Sequence, residues 1–165
     1  MIYSRMVSLN GMKIKYESDK IWLWRETKTK PSYWVEVKGW VDKITGYRRV
    51  TINKKLYQYH RVVYFIHNDD WDIRDTCRDN SIDHIDRDKL NNNIENLRVV
   101  THAENQWNRD SKGCCFHKAT GKYRAQIRVD GEYKHLGLFV SEDDARNAYL
   151  NAKVKHHHIP QANPL

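Results

Sequence analysis

The chain has 165 residues, a formal net charge of +8, an isoelectric point near 9.4 and a mean hydropathy of −0.89. That length allows one moderate domain or two small ones. No apolar run approaches the roughly 20 residues of a membrane span, and the first residues lack the apolar stretch of a signal peptide. Ten Tyr and six Trp in so basic a chain favour an anionic partner with flat bases, although aromatics also build cores. Three cysteines, Cys77, Cys114 and Cys115, form no C-x-x-C pair; this argues against structural zinc and fits a reducing cytoplasm.

In chain order, residues from Ile14 to Tyr59 read as a β meander. Ile21-Trp22-Leu23-Trp24 and the alternating Trp34-Val35-Glu36-Val37 are strand segments. The runs 46–52 and 55–59 bracket Asn53-Lys54, which predicts a tight hairpin turn. The apolar stretch from His60 to His67 is predicted as a helix. His60 is expected to cap or pack the sheet beneath a site rather than to act in it. For Arg61, a phosphate contact and a structural role both stand open. From Asn68 to Asn80 the chain is polar, and Asp69, Asp70 and Asp72 read as a solvated loop rather than as metal ligands.

The stretch from Ile82 to Asn108, IDHIDRDKLNNNIENLRVVTHAENQWN, is the most informative. Asp83-His84 closes a strand-like run, and Leu97, Val99 and Val100 form a second one after an Asn-rich loop. Thr101-His102-Ala103-Glu104 has the spacing of a capping box, so a helix should start at Thr101 and run to about Arg109. Strand, loop, strand and helix would bring Asp83, His84, Asn96 and Asn105 near one point. The residue types suit phosphodiester hydrolysis. A neutral His can take a proton from water near neutral pH. A hard divalent cation prefers oxygen ligands, keeps several waters and neutralises charge on the phosphate. Asp83 offers an anionic oxygen and Asn105 a neutral one, and Asn96 could hold the loop and orient the imidazole of His84. Adjacent strand residues face opposite ways, so Asp83 and His84 can share a site only where the strand bends.

This segment resembles the HNH (His-Asn-His, ββα-metal) nucleases, in the subgroup whose last His is Asn. It is similar to the phage and intron-borne homing endonuclease pattern D-H-I-D-G-[DN]-x-x-N-N-x-I-x-N-L-R-x-[VA]-T-x-x-x-N. The resemblance implies metal ligation by Asp83 and Asn105, general-base action by His84, and orientation of that base by Asn96. Asn92 matches the second Asn of the family's N-N pair, with no role assigned. Arg87 stands where the family usually has Gly, so the turn must tolerate a side chain, or Arg87 contacts a phosphate. A similar H-R segment precedes the motif in many phage HNH proteins, here His60-Arg61.

On the helix after Thr101, Asn105 and Asn108 share roughly one face, and the resemblance favours Asn105 for the metal. His102 is expected to be exposed or to touch DNA. Residues 110–113 read as a short linker. Beyond it, 123–129 alternates cleanly, Asp130-Gly131 is a strong hairpin signal, and 133–139 returns as a partner strand. Ser141-Glu142-Asp143-Asp144 is an N-cap, with Ala145, Ala148, Tyr149 and Ala152 at helical spacing. Three strands on one amphipathic helix follow. Ala125, Ile127 and Val129 should meet the helix, and Arg124, Gln126 and Arg128 should face outward. A small sheet fits the major groove, where Arg reads guanine and Gln reads adenine; a solvated face would also be polar. Lys118 and Lys122 add charge nearby. The pattern from Gly113 to Tyr149 is similar to the plant ethylene-response-factor (APETALA-two) DNA-binding fold, with Cys115 where a β-branched residue is common. The resemblance extends to phage HNH endonucleases, which carry that fold at the C-terminus. His156-His157-His158 reads as a frayed helix end in preference to a metal site.

The expected fold is α+β: an N-terminal β meander leading into a ββα-metal core over 1–110, then a three-stranded antiparallel sheet packed on one helix over 111–165. The expected function is a DNA endonuclease of the phage or mobile-element type. It would nick duplex DNA as a monomer with one Mg²⁺ or Mn²⁺, a dimer being needed for paired cuts. The alternative is a DNA-binding regulator or packaging accessory with an idle nuclease centre.

Overall fold

Among the described residues, seven short strands precede the first helix, in keeping with the density of aromatic and β-branched residues there. In the computed structural model, residues 5–68 and 70–159 are described. Asp69 and the first four residues, on which parts of the loop and signal-peptide readings fell, lie outside them. By packing, the chain forms two units, one reaching to Val100 and one starting at Thr101.

In the first unit, β1 (Met6–Leu9), β2 (Met12–Glu17), β3 (Lys20–Arg25) and β4 (Tyr33–Glu36) form an antiparallel sheet in chain order. A separate antiparallel sheet holds β5 (Trp40–Val41), β6 (Arg48–Ile52) and β7 (Lys55–Gln58). The expected meander is therefore two sheets, and it gains a strand at its start. The missed signal was Asn10-Gly11, whose φ of 51° and 77° turns β1 into β2. Asn53-Lys54 makes the predicted turn between β6 and β7 with φ of 45° and 66°. The break between the sheets passes through Gly39, at φ 66°, where a Cβ would overlap the Arg49 carbonyl. Only glycine fits there.

Helix α1 (Tyr59–His67) packs on β2, β6 and β7 and on the later strand β8 (Ser81–His84). Ile14, Ile21, Val50, Ile52, Val62, Val63 and Ile66 have no exposed surface and form one core between both sheets and the helix. Each such side chain contributes about 1.5–3 kcal/mol by leaving water. Strand β8 pairs antiparallel with β9 (Leu97–Val100), and a short 3₁₀ turn, Ile94–Asn96, leads into β9.

The second unit begins with α2 (His102–Trp107), capped as predicted. Thr101 Oγ1 accepts from the Glu104 amide at 3.2 Å, and the Glu104 carboxylate accepts from the Thr101 amide at 2.7 Å. The helix stops two residues earlier than expected, with Asn108 as its C-cap. Strands β10 (Cys114–His117), β11 (Lys122–Val129) and β12 (Glu132–Phe139) make one antiparallel sheet against α3 (Glu142–His156). Ser141 caps α3, and Asp130-Gly131 makes the β11–β12 turn at φ 52° and 86°. Ala125, Ile127 and Val129 are buried with Ala145 and Tyr149 of the helix, as their alternation predicts. The boundary expected at 110/111 falls earlier. Arg146 pairs with Asp110 at 3.2 Å and Lys153 donates to the Arg109 carbonyl at 2.9 Å, so the supposed linker is tied to α3. Nor does the histidine run fray: His156 ends α3, and His157 stacks on Trp107 at 4.6 Å and contacts the Arg128 carbonyl at 2.9 Å.

Gly113, at φ 69°, lies against the buried Tyr149 ring, which a Cβ would penetrate. Gly113→Ala is expected to cost about 2–4 kcal/mol, combining left-handed strain with overpacking. Urea unfolding followed in the isolated variant and the wild type measures it; equal midpoints would refute it. In the first unit, His60 is buried on α1 with its Nδ1 unpartnered. Burial, then the neighbouring His84 and Arg61, push its pKa down to about 3. The unfolded chain takes up that proton near pH 6.5, and the folded one only near 3. Stability is therefore lost as pH falls below about 6.5, at up to about 1.4 kcal/mol per pH unit. His60→Leu should remove this part of the slope, and parallel pH–stability curves for the two proteins would show the assignment wrong.

Candidate active site

Strand β8 carries Asp83 and His84, and the ladder to β9 sets what each meets. Asp83 stands opposite Arg98, and His84 opposite Leu97. All four are buried. Both Nε and Nη2 of Arg98 donate to Asp83 Oδ2, at 3.1 and 2.9 Å. A carboxylate withdrawn from water needs such a counter-charge. The sequence reading gave Arg98 no role, although its place opposite Asp83 follows once the register is known. Pairing extends through His84, so the bend expected at Asp83-His84 comes after it: His84 is the last paired residue, and its carbonyl accepts from the Arg87 amide at 3.0 Å.

The imidazole of His84 sits in an aromatic nest. His60 meets it edge-on at 4.8 Å between ring centres, and Tyr47 lies 5.9 Å away. Lys89 covers the Tyr47 ring at 4.8 Å and donates to the Thr45 carbonyl at 2.9 Å. His60 thus packs beneath the site, as expected. Asn92, buried, meets the His84 ring by hydrogen bond, with Oδ1 3.1 Å from Nε2.

Asn96 does something different from orienting the base. Its Oδ1 accepts from the Asp86 amide at 3.0 Å, and its Nδ2 donates to Asp86 Oδ1 at 2.9 Å and to the Asn91 carbonyl at 2.8 Å. Both its N–H donors are spent on the loop, and the hydrogen bond to the imidazole comes from Asn92. Burial alone would raise the Asp86 pKa, but donation from Asn91 and Asn96 prevails and holds it below the usual carboxylate range. Arg87, exposed, adopts φ 69°, the conformation for which glycine is the natural residue.

The remaining candidates divide. Asn105 is half-buried on α2, its amide bonded to the Thr101 carbonyl at 3.0 Å; Asn108 is buried at the helix end, and His102 is exposed. Arg61 is turned inward onto the neighbouring loop. Its guanidinium donates to the carbonyls of Asn80, Ile73 and Asp75 at 3.3, 3.0 and 2.7 Å and covers the Trp71 ring. It fastens the 71–80 loop through three of its five N–H groups. In that loop Asp72 bonds Arg74 rather than gathering other carboxylates.

On the sheet of the second unit, Lys118, Lys122 and Arg128 are exposed, and Arg124 and Gln126 half-exposed, all off the buried face. Arg124 Nε is buried without a partner, and Arg128 Nε donates to the Gly131 carbonyl at 3.0 Å. An open cleft of about 1150 Å³ runs beside them, lined by Trp107, Gln126, Arg128, Tyr133 and His157 among others.

Among the described residues no group of three or more His, Cys, Asp and Glu is gathered. The Asp83 carboxylate, the anionic oxygen expected at a metal, is buried against Arg98, and the ladder that runs through His84 turns the two neighbouring side chains to opposite faces of β8. No helix of the described residues is long and apolar enough to cross a membrane.

The HNH endonuclease family model matches residues 57–107, from β7 through α2. No curated protein and no solved structure matches the chain. The matched segment contains Asp83, His84, Asn92, Asn96 and Asn105, and it supports an HNH nuclease with DNA as its substrate.

Proposed function

We propose that this chain is a metal-dependent endonuclease that hydrolyses phosphodiester bonds in duplex DNA, nicking one strand per encounter in the manner of homing-type enzymes. The observation that carries this reading is the buried His84 at the mouth of the Asn-clamped loop, within the segment that matches the HNH endonuclease family. His84 accepts a proton from the attacking water. The water oxygen forms a bond to phosphorus, one P–O ester bond breaks, and the leaving oxygen takes a proton from solvent. Mg²⁺ or Mn²⁺, when bound, neutralises charge on the phosphate. Asp83 and Asn105 are its proposed ligands, both assigned by the resemblance of this segment to the HNH pattern. One such centre per chain favours a monomer on DNA.

The second unit is proposed to hold the duplex through its outer sheet face, with Arg124, Gln126 and Arg128 toward the major groove and Lys118 and Lys122 on phosphates. Arg87, at the loop tip, is proposed as a phosphate contact beside the cut, which would account for a strained non-glycine residue there.

Supercoiled plasmid incubated with protein and Mg²⁺ should turn into open circles, with EDTA and His84→Ala each abolishing the change. His84→Ala should leave DNA affinity unaltered. A plasmid shifted in mobility yet uncut across metals would move the protein to the class of DNA-binding regulators. Arg124→Ala and Arg128→Ala should each weaken duplex binding about 5- to 100-fold in a salt-dependent titration, in line with the loss of a base or phosphate contact. Unchanged binding in both would remove the sheet face from the interface.

A further inference from the structure

Asn92 has both ends of its amide committed, and together they fix the chemistry of His84. Its Nδ2 lies 2.9 Å from the Leu90 carbonyl. A carbonyl oxygen only accepts, so the NH₂ end of the amide must face it. The other end, facing His84 Nε2 at 3.1 Å, is then the carbonyl oxygen Oδ1, which also only accepts. Nε2 must therefore donate. In a neutral imidazole one nitrogen carries the hydrogen and the other the lone pair, so the lone pair of His84 sits on Nδ1. Both side chains are buried, and water does not compete readily for this bond.

We infer that Asn92 is the positioning residue of the site: it holds His84 as the Nε2–H tautomer and so makes Nδ1 the atom that receives a proton. The inference rests on His84 being the general base, and it moves the orienting role from Asn96 to Asn92. The anchor for Asn92 is backbone, through the Leu90 carbonyl and the Asn92 amide bonded to that same carbonyl at 3.0 Å. That carbonyl belongs to the turn opened by Asp88, whose carboxylate accepts from the Leu90 amide at 2.9 Å. Loop conformation and tautomer are in this way one property. His60, packed edge-on against the same ring, limits its rotation.

The test is a spectroscopic one on the full chain, labelled with ¹⁵N-histidine and recorded near pH 8, above the ordinary imidazole pKa of about 6.5. Long-range proton–nitrogen correlations should show the His84 ring with a protonated, pyrrole-type Nε2 and a pyridine-type Nδ1. Asn92→Ala should convert this into a mixture of tautomers and lower the nicking rate about 10- to 100-fold, with DNA affinity unchanged. Asn92→Asp, which keeps the acceptor, should restore the Nε2–H pattern. A wild-type ring protonated on Nδ1 would overturn the inference, as would an Asn92→Ala ring that stays wholly Nε2–H. The wild-type spectrum decides even if neither variant folds. It needs no cleavage, so a protein that never cuts would overturn the nuclease reading while leaving the tautomer to be judged by itself.

Discussion

The buried pair between Asp83 and Arg98 is the constraint on which the site depends. It joins β8 to β9 from the side-chain side, opposite the ladder that joins them by backbone. Two charges withdrawn from water are costly apart and tolerable together, so the pair favours one register: a slip of one residue would separate them. That register also places His84 opposite Leu97, beneath the loop that supplies Asn92.

The loop between the two strands, residues 85–96, is organised by short polar side chains rather than by packing. Asp86, Asp88, Asn91, Asn93 and Asn96 each bond a backbone group or one another within a few residues. Asn and Asp are suited to this because their short side chains reach neighbouring amides and carbonyls without long rotamer chains to order. The many short hydrogen bonds hold this solvated loop in one conformation. Arg87 is the exception: a long cation held at positive φ, where a glycine would relax the turn.

The second unit follows a different logic, in which one amphipathic helix covers one face of a three-stranded sheet. Its small core of Ile127, Val129 and Tyr149 is extended by close backbone approach at Gly113 and by the His157–Trp107 stack. Charged groups at the helix ends fit its dipole, with Glu142, Asp143 and Asp144 in the first turn and Lys153, Lys155 and His156 in the last. The uncovered face of β11 carries Arg124, Gln126 and Arg128.

Much was legible in the residues alone. Alternation, Asp130-Gly131 and Asn53-Lys54 turns, and the caps at Thr101 and Ser141 are local signals, because backbone sterics and near-neighbour hydrogen bonds decide them. The site motif was legible too, since residue type and spacing between Asp83 and Asn105 are properties of the sequence. The partners of those residues were not. Arg98 opposite Asp83, Asn92 rather than Asn96 on His84, and Arg61 turned inward onto the 71–80 loop all join positions 8 to 19 residues apart. So did the split of the expected meander into two sheets at Gly39, and the binding of residues 109 and 110 to α3. Strand register and side-chain packing select those contacts, and both depend on the whole chain being folded. The sequence by itself determined which chemistry was available; the tertiary structure decided which atom meets which, because burial removes water as the alternative partner and leaves each polar group only the neighbours that packing brings within reach.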